Sequence, residues 1–256
     1  MDPVTVRSQW NANARSWTDL TRAGFDVYRD LVNTPAFLRM LPDIDGLVGL
    51  DVGCGEAHNT RLVRRAGGRV VGVDVAERFV AAAAAVDSTR EHVVGDAGNL
   101  PFAEATFDFV TAFMSLMDVS DPDVALTEAV RVLRPGGFVQ FSVVHPVNNT
   151  ARRRWINVDG ERWGLAIGDY FVTGWSTDRW TFNAAPEDVR ARHELFTVSS
   201  QRRTIAGWLN AVAGAGLILE EVAEPCADED VARHSPKIAD TRIVPYFLIV
   251  RARKPS

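Results

Sequence analysis

The sequence is almost without lysine: Lys237 and Lys254 stand alone among 28 basic residues, and the rest are arginine. These arginines are scattered along the chain and outnumbered by 33 acids, leaving a net charge of -5. No basic patch forms, so a nucleic-acid partner is not expected. Cysteine is as scarce. Cys54 and Cys226 lie far apart, which excludes both a disulfide framework and a paired-cysteine metal site and suits a reducing cytosol. No apolar run reaches the roughly 18 residues that a membrane span requires. The first residues, MDPVTVRSQW, lack the basic start and apolar stretch of an export signal. A soluble, cytoplasmic protein without a membrane partner is therefore expected. At 256 residues, 46% hydrophobic and 24% charged, the chain has ordinary globular composition, with no internal repeat and no low-complexity tract.

What is present is an alternation. Between residues 47 and 143, short β-branched runs take turns with longer amphipathic segments, which predicts a parallel sheet with crossover helices. Strands are expected at 47–52, 69–73, 92–95, 107–113 and 137–144. Helices are expected at 58–66, stopped by Gly67-Gly68; at 76–86, carrying the run AAAAA; and at 122–133, where Asp121 is an N-cap and Pro122 the first helical residue. After residue 199, SQRRTIAGWLNAVAGAGL reads as a helix ending near Gly216, followed by strands at 218–222 and 245–251. Residues 1–45 read as helical, with Trp10, Trp17, Phe25 and Tyr28 along an apolar face. Residues 147–198 form a long insertion holding Trp155, Trp163, Trp175 and Trp180 of the seven tryptophans.

The stretch LVGLDVGCGEAHNT places a glycine-rich turn between the first strand and the first crossover helix, where backbone N–H groups face a ligand. The dinucleotide pattern G-x-G-x-x-G fails here: Gly53 and Gly55 match, but His58 takes the third glycine's place. Asp51 argues further against a pyrophosphate, since two like charges about 4 Å apart at an effective dielectric near 20 cost on the order of 4 kcal/mol. The same carboxylate attracts an ammonium or a sulfonium, and S-adenosylmethionine carries both. Asp74 in VVGVDVA and Asp96 in VVGDAGNLPF close the second and third strands, so three acids face one crevice at the carboxyl ends of the sheet. Asp74, with Val75 next to it, is placed for the ribose hydroxyls; Asp96 and Ala97 for the adenine. Cys54 belongs to the glycine loop, and Met114 and Ser115 line the floor. A single strand-ending aspartate is often only a helix cap. Three in register with a glycine loop carry the reading.

The segments LDVGCGEA, VVGVDVA, GDAGNLPF, FDFV and RVLRPGGFVQFSVVHP resemble successive motifs of the class I S-adenosylmethionine-dependent methyltransferases of the methyltransferase domain 11 type, over residues 47–146. The resemblance implies an α/β, Rossmann-like fold: a seven-stranded, mostly parallel sheet with an antiparallel last strand and helices on both faces. It implies one domain, made of a helical lid (1–46), a cofactor-binding core (47–146), an inserted substrate cover (147–199) and a C-terminal helix with two strands (200–256). S-adenosyl-L-methionine is the implied cofactor. The sequence departs from the family's loop at Ala57, where a third glycine is usual. Trp10, Trp17 and Tyr28 would close over the site from the lid, although a stripe at that spacing is commonly core. Arg22 would reach the methionine carboxylate.

Methyl transfer from a sulfonium is a direct displacement, and alignment of the reactants alone recovers about 7–11 kcal/mol of barrier. A base near the acceptor helps where the nucleophile carries a proton. His145, in VVHP after the fifth strand, is the first candidate, with a buried structural histidine as the alternative; His193 is weaker, and His58, His92 and His234 read as structural. Tyr170 and Phe171, with the insertion's tryptophans, suggest an aromatic cover over an apolar or planar acceptor, or the packing of a small β-layer. AFMSLMDV lacks the Asp/Asn-Pro-Pro-aromatic motif of base-amino methylation. Asp118 has no carboxylate–amide partner or histidine cluster beside it, so no metal is expected. The expectation is a small-molecule acceptor methylated on O, N or C in secondary or cofactor metabolism, by a monomer or homodimer. A nucleotide-dependent oxidoreductase and a non-catalytic cofactor-binding or partner protein are the alternatives.

Overall fold

A computed structural model describes residues 1–87 and 91–256. Asp2 opens the first helix, its carboxylate accepting from the Thr5 N–H with Pro3 at the first helical position, and α1 runs over Pro3–Arg22. A π-helical turn at Arg29–Asn33 leads into α2 (Thr34–Met40). The alternating core follows: β1 Val48–Val52, α3 His58–Arg65, β2 Arg69–Asp74, α4 Glu77–Val86, β3 His92–Val94, β4 Phe107–Phe113, α5 Pro122–Val132 and β5 Leu133–Val144. The insertion holds β6 Arg152–Val158, β7 Glu161–Gly168, β8 Gly174–Trp180, α6 Glu187–Arg190 and β9 Phe196–Arg202. The chain returns through α7 Ile205–Gly214, β10 Ile218–Ala223, α8 Glu229–His234 and β11 Phe247–Arg253.

Seven strands form one sheet in the order β10-β11-β5-β4-β1-β2-β3. β1 to β5 pair in parallel, and β11 runs antiparallel between β5 and β10. The expected seven-stranded sheet with its reversed last strand is thus present, with that strand buried inside the sheet. Strand alternation sends side chains to two apolar layers. Leu50, Val110, Val139 and Phe141 pack with Leu126 of α5 and Trp208 of α7. On the other face Val70, Phe109, Phe138 and Ile249 meet Phe37 of α2 and Val63 of α3. Gly49 makes room for that layer, since a Cβ there would come within 2.2 Å of the Phe109 ring.

The helix expected from residue 200 begins later. Residues 196–202 pair with β8 as a strand, Phe196 and Val198 turning inward, and Thr204 then caps α7 by accepting from Gly207 N–H at 2.9 Å. The polar run SQRR that resembles a helix start is the outer end of β9. The boundary expected at 199 therefore falls inside a strand. The insertion is two separate hairpin-like sheets, β6-β7 and β8-β9. An aromatic cluster of Trp17, Trp180, Phe182 and Phe196 joins the second to α1, with ring centroids 4.9–5.6 Å apart. Asn13 completes the join: its side chain donates to Thr197 O at 2.8 Å and accepts from Thr197 N–H at 3.0 Å.

Candidate active site

A cavity of about 670 Å³ opens beyond the carboxyl ends of β1, β2 and β4, roofed by α1 and the β8-β9 sheet. Its size falls within the range of about 300–1,000 Å³ usual for small-molecule sites. The glycine loop forms one wall. Gly53 and Gly55 both take left-handed φ, at +71° and +55°. A Cβ on Gly53 would strike Ser115 Cβ at 2.3 Å, while nothing lies within 4 Å of the corresponding position on Gly55. Gly53 is thus required by the floor, and Gly55 leaves open space toward a ligand. Ala57 adopts the left-handed conformation as well, with φ +65°. The turn keeps its glycine-like shape despite the methyl group.

The three acids sit together as their strand positions require, and all three line the cavity. Asp51 is buried, Oδ2 accepting from Thr60 Oγ1 at 2.5 Å and Oδ1 from Thr111 Oγ1 at 2.9 Å. Asp74 accepts from the N–H groups of Gly55 at 2.9 Å and Ala76 at 2.8 Å, tying the second strand to the loop. Burial raises both carboxyls to about 6. Asp96 Oδ1 accepts from Gly98 N–H at 2.8 Å, which orders the Ala97 backbone at the cavity edge. Cys54 and Val75 line the same wall, and burial pushes the Cys54 thiol up. Met114 holds φ at +53° with its N–H on Ser142 O, and Ser115 Oγ donates to Val52 O at 2.6 Å. The sharp turn after β4 is thereby pinned under the loop.

Arg29 is the group the sequence did not reveal. It lines the cavity beside Gly55, Glu56 and His58, with Nε on Asp30 at 2.7 Å. Its Nη2 is buried with no hydrogen-bond partner among the described residues. An orphaned guanidinium N–H beside a ring of carboxylates fits a ligand that is cationic at one end and carries a carboxylate, as S-adenosylmethionine does. Arg22, expected in that role, is not at the cavity: it donates to Ala82 O at 2.8 Å and lies 3.4 Å from Glu56.

Trp10, Trp17 and Tyr28 do line the cavity. Trp10 and Trp17 meet edge to face at 5.4 Å, and Tyr28 stacks on Tyr246 at 4.7 Å while donating to Asp240. Trp180 and Phe182 of the insertion join them; Trp155, Trp163 and Trp175 do not. Two expectations fail on position. Tyr170 lies outside the cavity, its hydroxyl accepting from Ile205 N–H at 3.0 Å at the head of α7. His145 is 1% exposed and likewise outside. Its Nε2 meets Glu224 Oε1 at 2.7 Å and its Nδ1 accepts from Val147 N–H at 3.3 Å, so both ring nitrogens are used, and burial lowers its pKa. Among the described residues no cluster has the makings of a metal site, and no helix is long and apolar enough to cross a membrane.

Residues 50–141 match the family described as a methyltransferase domain. Over most of its length the chain is similar to the S-adenosylmethionine dependent methyltransferase from Mesorhizobium loti, at 30% identity and a TM-score of 0.71, covering 86% of this chain and 96% of that one. The chain belongs to the S-adenosylmethionine-dependent methyltransferases. Matches to curated methyltransferases are shorter. A malonyl-(acyl-carrier protein) O-methyltransferase from Pectobacterium atrosepticum is 29% identical over 139 residues, 53% of this chain and 55% of that protein. A demethylmenaquinone methyltransferase from Mycolicibacterium paratuberculosis is 35% identical over 136 residues, 53% of this chain and 58% of that one. The chain spans about half the length of the curated relatives it matches. Asp118, Ser200, Asn148 and Tyr246 of this methyltransferase also line the cavity, and sequence reasoning named none of them as a site residue. Only Asp118, polar among the apolar Leu116 and Met117, carried a local signal.

Proposed function

We propose that this methyltransferase transfers the methyl group of S-adenosylmethionine to a small-molecule acceptor enclosed between the glycine loop and the inserted cover. The observation that carries this is one continuous cavity lined both by the strand-tip acids and by Trp180, Phe182 and Ser200 of the insertion. The cofactor, when bound, supplies a methyl group activated on a sulfonium. Asp74 receives the ribose hydroxyls, exchanging or sharing its bonds to the loop N–H groups. Asp96 and Ala97 face the adenine, against Phe79. Arg29 holds the carboxylate through its spare Nη2. Asp51, fastened by Thr60 and Thr111, keeps negative charge behind the ammonium without touching the acceptor. Gly55 lets the backbone come close.

The cover excludes water and orients the acceptor, which is the larger part of catalysis for a displacement of this kind. Trp180, Phe182, Tyr28 and Tyr246 offer flat apolar surface, and Asn148 and Asn183 offer directional polar contacts. The names of two relatives, one acting on a malonyl carrier-protein substrate and one on a demethylmenaquinone, fit such a mixed pocket. Titration calorimetry with S-adenosylhomocysteine and, separately, NAD tests the reading. Binding of the first alone is expected; binding of NAD alone refutes it.

A further inference from the structure

The turn Leu116–Asp118 after β4 places a carboxylate on the acceptor side of the cavity. Asp118 is 6% exposed. Its Oδ1 accepts from Ser200 Oγ, on β9 of the cover, at 2.6 Å, and among the described residues Oδ2 takes no hydrogen bond. A half-satisfied buried carboxylate is costly to keep, and the fold does not require it. The turn is closed by its backbone, Asp118 N–H donating to Ser115 O at 2.9 Å. Fastening the cover to the core through Ser200 would need only a neutral acceptor, which an asparagine supplies without the penalty.

We infer that Asp118 takes the proton released by the acceptor, so that the acceptor is a hydroxyl or ammonium compound, and that Ser200 is its positioning residue. This rests on the methyl-transfer reading above. Oδ2 accepts the proton as the acceptor's O–H or N–H bond breaks. The electron pair left on oxygen or nitrogen forms the new bond to the methyl carbon, and the carbon–sulfur pair stays on sulfur as a neutral thioether. Asp118 ends neutral and returns its proton to water. Ser200 holds Oδ1, which leaves Oδ2 for the acceptor in the cavity that Met117, Asn148 and Trp180 also line.

The environment suits the role. Burial pushes the carboxyl up to about 7, and the Ser200 hydrogen bond opposes the rise. Charged groups on the elements packed around it are engaged elsewhere or distant: Asp123 at the head of α5 pairs with Arg203, and His145 at the end of β5 is held by Glu224. Arg202 at the end of β9, and Arg153, Asp178 and Arg179 around the cavity, make no bond to Asp118 in the described structure. A base near neutrality is the efficient one.

The test begins with carbon-13 carboxyl NMR of the aspartate-labelled full chain saturated with S-adenosylhomocysteine, wild type against Asp118→Asn and Ser200→Ala. One signal is expected to titrate near neutrality, to vanish in D118N and to move upward in S200A, which has lost the bond favouring the anion. Methyl-donor turnover is then followed on a panel of phenols and primary amines. In D118N it is expected to fall about 100- to 10,000-fold with S-adenosylhomocysteine affinity unchanged; wild-type kcat/KM should fall as pH drops below neutrality, and D118N should lack that acidic limb. Titration of Asp118 in the ordinary carboxylate range, or turnover that survives in D118N, overturns the inference. Failure of S-adenosylhomocysteine to bind strikes the methyl-transfer reading instead.

Discussion

Replacing Asp118 by asparagine should make the folded protein more stable, by an amount that depends on pH. The carboxyl is raised from 3.8 to about 7 by burial, so folding favours its neutral form. A raised folded-state pKa means that no penalty exists below about 4, that it grows as pH rises through the interval, and that it is fully developed above about 7. At about 1.4 kcal/mol per pH unit, the ionised carboxylate costs about 4 kcal/mol at pH 8, about 2 kcal/mol at pH 5, and under about 1 kcal/mol at pH 4. Asparagine is nearly isosteric, keeps an oxygen for the Ser200 hydroxyl and carries no charge at any of these pH values. In the unfolded chain either side chain is solvated, so the difference arises in the folded state. Urea unfolding of both proteins at pH 8, 6, 5 and 4, with m-values compared so that midpoints translate into free energy, measures it. A gain that is the same at pH 8 and pH 4 would show that packing, not the buried charge, is responsible, and the reasoning would fail.

Three further outcomes are expected. Asp74→Asn should weaken S-adenosylhomocysteine binding about 10- to 100-fold by calorimetry, the value of a charged hydrogen bond of about 1.5–3 kcal/mol; an unchanged Kd would remove Asp74 from the nucleoside site. Arg29→Met should weaken the same binding by a similar factor, since the carboxylate loses a charged hydrogen-bond donor, while Arg22→Met should leave it within about twofold; the reverse ranking would restore Arg22. Ala57→Gly should change stability by less than about 1 kcal/mol in thermal unfolding, because relief of left-handed strain of about 1–2 kcal/mol is offset by a lost buried methyl and a more flexible unfolded chain. A loss well beyond that would mean that the methyl packs better than the strain suggests.

The sheet was legible because parallel strands announce themselves as apolar runs between amphipathic helices, and Asp51, Asp74 and Asp96 were legible because each ends such a run. Position in the sheet follows from topology, so three local signals fixed one wall of the cavity. The acceptor side obeyed no such rule. His145 looked available since nothing near it in sequence reveals Glu224, which arrives from the end of β10 to occupy its ring. Asp118 looked idle because Ser200 reaches it from the insertion. Arg29 lies in a π-helical turn without a periodic pattern, and its spare Nη2 is apparent only from what surrounds it. Tyr170 belongs to an aromatic-rich segment whose two sheets divide the work: β8-β9 faces the cavity, and most of β6-β7 does not. Polar residues that act through tertiary contact leave little trace in a one-dimensional reading.

The asparagine join between α1 and β9 ties events at opposite ends of the chamber. Asn13 grips the peptide of Thr197, and Ser200 lies three residues along the same strand, about 10 Å away at the usual rise. An extended strand resists stretching, so a displacement of α1 would be passed along β9 to the hydroxyl that holds Asp118. On the proposed reading, the fit of α1 over the nucleoside would then bear on how squarely Asp118 meets the acceptor.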